Sequence, residues 1–202
     1  MTLPSLPSLS ALFKRWALVC LMLAGGAASA ASIGGVSFED RIRLADTDLL
    51  LNGTGLRAVL MFKGYAAGLY LTKKARTPAQ VLATPGAKRV QMKMLLDVEA
   101  KEFVKAIDVG IKRNSSEAQQ AALKERMAQF DRNVAQIGTV KKGDVVNLDF
   151  IPARGLLLTL NGQPRGEPIA GDDLYAGVLK IFIGELPVDK KLKAGLLGTP
   201  TP

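Results

Sequence analysis

The chain is expected to fold as one α+β domain, a mainly antiparallel sheet with its helices on one face. Three observations lead there. Val90, Met92, Met94 and Leu96 alternate with Gln91, Lys93 and Leu95, the period of a half-buried strand. Between residues 100 and 137 apolar residues instead recur at helical spacing. The segments run strands, helices, strands, helices, with no internal repeat or low-complexity linker to divide them.

Taken in order, Gly34 to Phe38 reads as an opening strand. Leu49 to Leu71 is almost continuously apolar, broken at Asn52-Gly53-Thr54-Gly55 and at Lys63-Gly64, and reads as strand, turn, strand and bend. Thr77-Pro78 opens a short helix that stops at Pro85-Gly86, ahead of the Val90 strand. A helix then follows on Phe103, Ile107 and Ile111, and a second on Leu123, Met127, Phe130, Val134 and Ile137, with Ser116 and Gln119 as its capping box. Val145 to Ile151 is a strand, and Leu156 to Leu160 begins a hairpin turned by Asn161-Gly162. Asp172 caps a helix on Leu174, Val178, Leu179 and Phe182, and Val188 to Leu197 closes the chain as a short amphipathic segment.

The first thirty residues read differently. Lys14 and Arg15 precede an apolar run from Trp16 to Ala24, which ends in Ala28-Ser29-Ala30. A basic region, an apolar stretch and a small-residue site are the parts of a secretory signal. Residues 1–30 are therefore expected to be removed near Ala30, leaving residues 31–202 as the domain, periplasmic or secreted. A bilayer span needs about 20 strongly apolar residues, and this run fades into Gly and Ala. Val19 before Cys20 is too bulky for a lipid-attachment site.

Composition excludes much common chemistry. There is no His, and the one Cys, Cys20, lies in the expected signal. The domain then has no imidazole or thiol for a Ser-His-Asp triad, a Cys nucleophile or a zinc site, so neither metal nor cofactor is expected. The formal charge is +9, or +7 without residues 1–30. It comes as scattered pairs, Lys73-Lys74, Lys88-Arg89, Lys112-Arg113, Lys141-Lys142 and Lys190-Lys191, with no aromatic residues interleaved for base stacking. Nucleic acid is not an expected partner. A solvated basic surface is the simpler reading, compatible with peripheral contact with an anionic membrane.

Few residues stand out as chemistry. Gly53-Thr54-Gly55-Leu56-Arg57-Ala58 formally fits a dinucleotide fingerprint, but no acid lies between Asp48 and Asp97 to meet a ribose. Arg57 sits in an apolar segment, where a guanidinium either reaches water or grips an anion. Tyr65 and Tyr70 follow in the next segment, each an amphipathic ring whose hydroxyl needs a partner. Asp144, Asp149, Glu167, Asp172 and Asp173 form no evident acid–base pair.

Leu51-Asn52-Gly53-Thr54-Gly55-Leu56-Arg57, then Lys63-Gly64-Tyr65-Ala66-Ala67-Gly68-Leu69-Tyr70-Leu71, resembles the chalcone isomerase-like family, in detail its bacterial exported branch. Phe182-Ile183-Gly184 and Pro187-Val188-Asp189 are similar to the family's C-terminal helices. The resemblance implies an open-faced β-sandwich, a large antiparallel sheet backed by helices with a ligand cleft between them. In the active isomerases the matching Arg stabilises an enolate during ring closure of an enone, which gives Arg57 that catalytic role if the chain is an isomerase. Tyr65 stands where those enzymes have Thr. Ala100, Phe103 and Ile107 stand where they have Tyr, Lys and Asn, although a slip of one or two residues would bring Lys101 or Lys105 near.

A non-catalytic branch holds a fatty-acid carboxylate with the same Arg and a Tyr, which Arg57 and Tyr65 match. The implied ligand is a small hydrophobic carboxylate, or an enone on the isomerase reading. Leu60, Phe62, Phe103, Ile107 and Phe182 are the expected cleft lining. Three readings follow: a binding protein for a fatty acid or similar amphipathic carboxylate, an intramolecular lyase, or an exported interaction protein with a vestigial cleft.

Overall fold

Strand alternation builds a seven-stranded sheet from widely separated parts of the chain. The computed structural model describes residues 30–59 and 62–199; residues 1–29 of the expected signal, and Leu60, lie outside the described residues. Strands β3 (Arg41–Leu44), β4 (Thr47–Val59), β5 (Phe62–Leu71), β6 (Lys88–Met94), β9 (Val145–Ile151), β10 (Gly155–Leu160) and β11 (Gln163–Pro164) stand in the order β11-β10-β9-β6-β5-β4-β3, each antiparallel to its neighbours. β7 (Val98–Glu99) and β8 (Thr139–Val140) form a small separate ladder, as do β1 (Ala30–Ile33) and β2 (Val36–Glu39). Five helices complete the described fold: α1 (Pro78–Ala83), α2 (Ala100–Asn114), α3 (Glu117–Ala135), α4 (Asp172–Ile183) and α5 (Lys190–Leu196).

One face of the sheet carries the main core. Tyr65, Ala67, Leu69 and Leu71 of β5, with Val90, Met92 and Met94 of β6, meet Ile107 and Ile111 of α2, Phe130 and Val134 of α3, and Leu174, Val178 and Phe182 of α4. The opposite face, with Ala66 and Tyr70, is packed by Phe38 of the β1–β2 hairpin. That face also carries a polar row. Arg89 Nε and Nη2 grip the buried Asp149 carboxylate at 2.6 Å each, and Gln91, Asn147 and Thr159 form a hydrogen-bonded ladder. Cross-strand pairing of residues 89 with 149 and 91 with 147 brings these groups together.

Three local expectations are corrected. The opening strand is a hairpin, because Gly34 and Gly35 take positive φ angles of 64° and 85° and turn the chain. Gly171, not Asp172, is the N-cap of α4; Asp172 is its first residue. The segment Asn52–Gly55 is not a turn but lies within the 13-residue strand β4, with a bulge between Leu51 and Gly53.

The reason for those glycines is a helix. α5 lies on β4 backbone to backbone: a Cβ on Gly53 would overlap the Gly195 carbonyl oxygen, and one on Gly55 would fall 2.7 Å from the Leu192 carbonyl oxygen. Asn52 ends the same strip. Its amide nitrogen donates to Leu196 O at 2.7 Å and Ala75 O at 2.9 Å, while its oxygen accepts from Ala75 N at 2.7 Å. The close approach buries Leu192 and Leu196 completely, each contributing about 1.5–3 kcal/mol.

Gly53→Ala should therefore destabilise the fold by about 2 kcal/mol or more, since backbone must give way. Gly64→Ala, whose Cβ would meet its nearest atom, Arg57 O, at an ordinary 3.6 Å, should stay within about 0.5 kcal/mol. Urea denaturation midpoints at unchanged slope measure both.

Candidate functional site

Arg57 and Tyr65 are directly opposite each other across β4 and β5. Cross-strand partners share a face, and this one is the helix side. The Arg57 stem runs beside Gly64, and its head meets the start of α5: Nη1 donates to Val188 O at 2.9 Å and lies 3.8 Å from Asp189 Oδ2. Asp189 is also the N-cap of α5, its Oδ1 accepting from the backbone N–H groups of Lys191 and Leu192 at 2.8 and 2.9 Å. One carboxylate thus caps the helix and faces the guanidinium. With one N–H of Arg57 committed to Val188, the others remain for a second anion.

Tyr65 is half-buried against the core, and burial pushes its phenol above the usual range, opposed by the Arg57 charge and reinforced by Asp189. The hydroxyl stays protonated through neutral pH, so beside Arg57 it is a hydrogen-bond donor. Among the described residues it has no hydrogen-bond partner. A strongly basic group and a neutral donor side by side, over an apolar layer, suit the two oxygens of a carboxylate or a developing enolate.

Elsewhere in the main core, under α2 and α3, lies a small apolar cavity of about 20 Å³, lined by Met92, Phe103, Ile107, Phe130, Val134 and Leu148 among other apolar side chains. That is room for about one water, not for an alkyl chain. Of the expected cleft residues, Phe103 and Ile107 line it. Phe182 is buried in the same core but does not line this cavity. Phe62 does not line it either: it is 71% exposed, beyond the bulge that shifts the β4–β5 register after Arg57. Leu60 lies outside the described residues.

Lys101 pairs with Glu99 at the surface, and Lys105 is exposed, so neither approaches this cavity. Tyr70 is on the opposite face of the sheet from Tyr65, fully buried, its hydroxyl without a partner among the described residues. The residues that sequence reasoning missed are Val188 and Asp189, which hold Arg57 from 131 and 132 positions away. Their one local signal was an Asp ahead of a short amphipathic run, the mark of a cap.

Asp189→Ala removes both cap and counter-charge and should cost about 1 kcal/mol, whereas Asp189→Asn keeps the cap and should cost less than half of that. Thermal or urea denaturation of the two variants separates the roles.

The comparisons with known proteins follow this geometry. A family model described as chalcone isomerase-like matches residues 30–198. No curated protein matches the chain in sequence. Among solved structures, the crystal structure of a fatty-acid binding protein from Arabidopsis thaliana is similar at a TM-score of 0.63 and 16% identity, over 84% of this chain and 96% of that one. At that identity the likeness speaks for the fold, the large antiparallel sheet backed by helices. With the match running over nearly all of the described residues, the chain belongs to the chalcone isomerase-like family.

Proposed function

We propose that the protein binds a fatty acid or similar amphipathic carboxylate, with the head group on Arg57 and Tyr65 and the tail in the layer between sheet and helices. The observation that carries this reading is the pairing of Arg57 with Tyr65 on the helix-facing side of the sheet, where Tyr65 packs against the apolar main core. The similar Arabidopsis structure is of a fatty-acid binding protein, which supports a ligand of this class. The expected signal sequence makes it an exported binding protein, periplasmic or secreted, and the basic surface suits collection of ligand at an anionic membrane.

The head group arrives at a prepared place. Val188 O orients the guanidinium, and a ligand carboxylate takes over the charge that Asp189 partly meets at 3.8 Å. The tail needs more than the cavity of about 20 Å³ supplies, so binding includes parting α2 and α3 from the sheet. The free energy of that opening lowers the apparent affinity by the fraction of time the open state is populated.

Native mass spectrometry of protein purified without detergent, wild type beside Arg57→Ala, tests the reading, with organic extraction to identify any adduct. A C10–C18 acid on the wild type, weakened at least about tenfold in the variant, is expected for loss of a charge-assisted clamp. A clean mass in both, with no titratable affinity for such acids, contradicts it. Stereoselective ring closure of an enone dependent on Arg57 would replace it with the isomerase reading.

A further inference from the structure

A second cavity, of about 530 Å³, opens at the other end of the helix-facing side. Lys88 forms part of its wall, with Phe150, Tyr175, Leu82, Leu179 and Asp172. Lys88 pairs with Leu71 where Met94 pairs with Tyr65, so this cavity is about 20 Å along the strand from the Arg57 site. Nothing about it depends on the carboxylate-binding reading.

Lys88 is unlike the other lysines described. Lys74, Lys93 and Lys193 reach main-chain oxygens, and Lys141 and Lys101 pair with Asp97 and Glu99. Lys88 is only 6% exposed, the one buried lysine among the described residues. Its Nζ lies 5.3 Å from the centre of the Phe150 ring and has no hydrogen-bond or ion-pair partner among the described residues. The residue is buried while Nζ itself reaches the cavity, so its ammonium is only partly hydrated, a state relieved by losing the proton or by a ligand that supplies an acceptor. Burial accordingly holds the amine below its ordinary value, with Asp172 opposing.

The groups around Lys88 limit what that ligand is. Asp172 and Asp173 both face the cavity from the start of α4. Asp173 is held by Arg126 at 2.5 and 2.7 Å, and Tyr175 donates its hydroxyl to Leu148 O at 3.1 Å, so neither serves Lys88. Asp173 is neutralised by Arg126 and Asp172 offsets the Lys88 charge, so the cavity offers an anion no net attraction, while Leu82, Leu179 and the Phe150 and Tyr175 rings offer apolar walls. A neutral molecule with a polar carbon–oxygen bond fits both conditions, and a desolvated lysine amine is a nucleophile toward such a group.

We propose that Lys88 is a carbonyl-capturing amine, and that its cavity takes a small, uncharged aldehyde or ketone with an apolar tail as an imine. The amine nitrogen adds to the carbonyl carbon, forming a C–N bond. Both N–H protons pass to the oxygen, which leaves as water. No oxidant or reductant takes part.

The test is site-resolved reductive alkylation of the full chain at about pH 7.5, where the neutral amine fraction sets the rate. Butanal with cyanoborohydride is applied at limiting dose, folded and in urea, and butylation of each lysine is read by peptide mapping. Lys88 in the folded protein should be alkylated at least about fivefold faster than the mean of the exposed lysines, and the preference should vanish in urea. Alkylation of Lys88 at or below that mean overturns the proposal. A parallel arm adds butyrate: protection of Lys88 by millimolar butyrate would make the cavity an anion site and overturn it equally.

Discussion

The docking of α5 onto β4 is the contact on which the arrangement of the head-group site depends. Along one strip of a single strand, Asn52 holds the C-terminal end of the helix, Gly53 and Gly55 let its backbone approach, and Arg57 holds the residues before its first turn. The distances are compatible: Asn52 to Arg57 is about 16 Å of strand, and the seven-residue helix is about 10.5 Å long, with the extended Asp189 and the Arg57 side chain covering the rest. A side chain on either glycine would lift the helix and withdraw Val188 and Asp189 from the guanidinium. The Arg is therefore aimed by the glycines through Val188 and Asp189, which precede the helix.

The helix-facing core is an apolar layer with an unusual polar group at each end. Near one end Arg57 and Tyr65 stand beside the N-cap of α5, and near the other Lys88 lies over Phe150. In the apolar layer under α2 and α3 the packing leaves a cavity of only about 20 Å³, so the described state is a closed one. Binding an alkyl chain there exchanges helix–sheet contacts for ligand contacts, which keeps the net apolar gain modest and leaves orientation to the charged head. The opposite face solves a different problem. Arg89 and Asp149 satisfy each other with two hydrogen bonds, which offsets the desolvation of both charges.

Much of the fold was legible because its determinants are local. The β6 and β9 strands follow from two-residue alternation, the α3 cap from Ser116 and Gln119, and the β10–β11 hairpin from Asn161-Gly162, whose φ angles are 52° and 78°. The Asn52–Gly55 segment misled because its glycines serve a helix some 140 residues away, and locally they carry the same signal as a turn. Lys88-Arg89 was read as part of a solvated surface, yet adjacent strand residues point to opposite faces. Both are drawn inward, one to a cavity and the other to Asp149. The nearness of Arg57 to Tyr65 came from a family resemblance rather than from spacing, and the hold of Val188 and Asp189 on Arg57 has no local signature at all.

The central claim is that Arg57, aimed by α5, receives a carboxylate. Nitrogen-15 NMR of the arginine side-chain Nε–H groups, titrated with decanoate, tests it at the atom concerned. The account predicts a saturable shift confined to Arg57, with the backbone amides of Tyr65 and of Lys191 and Leu192 responding and α5 remaining helical. An Arg57 resonance unmoved at saturating decanoate, whether or not other residues shift, would contradict it.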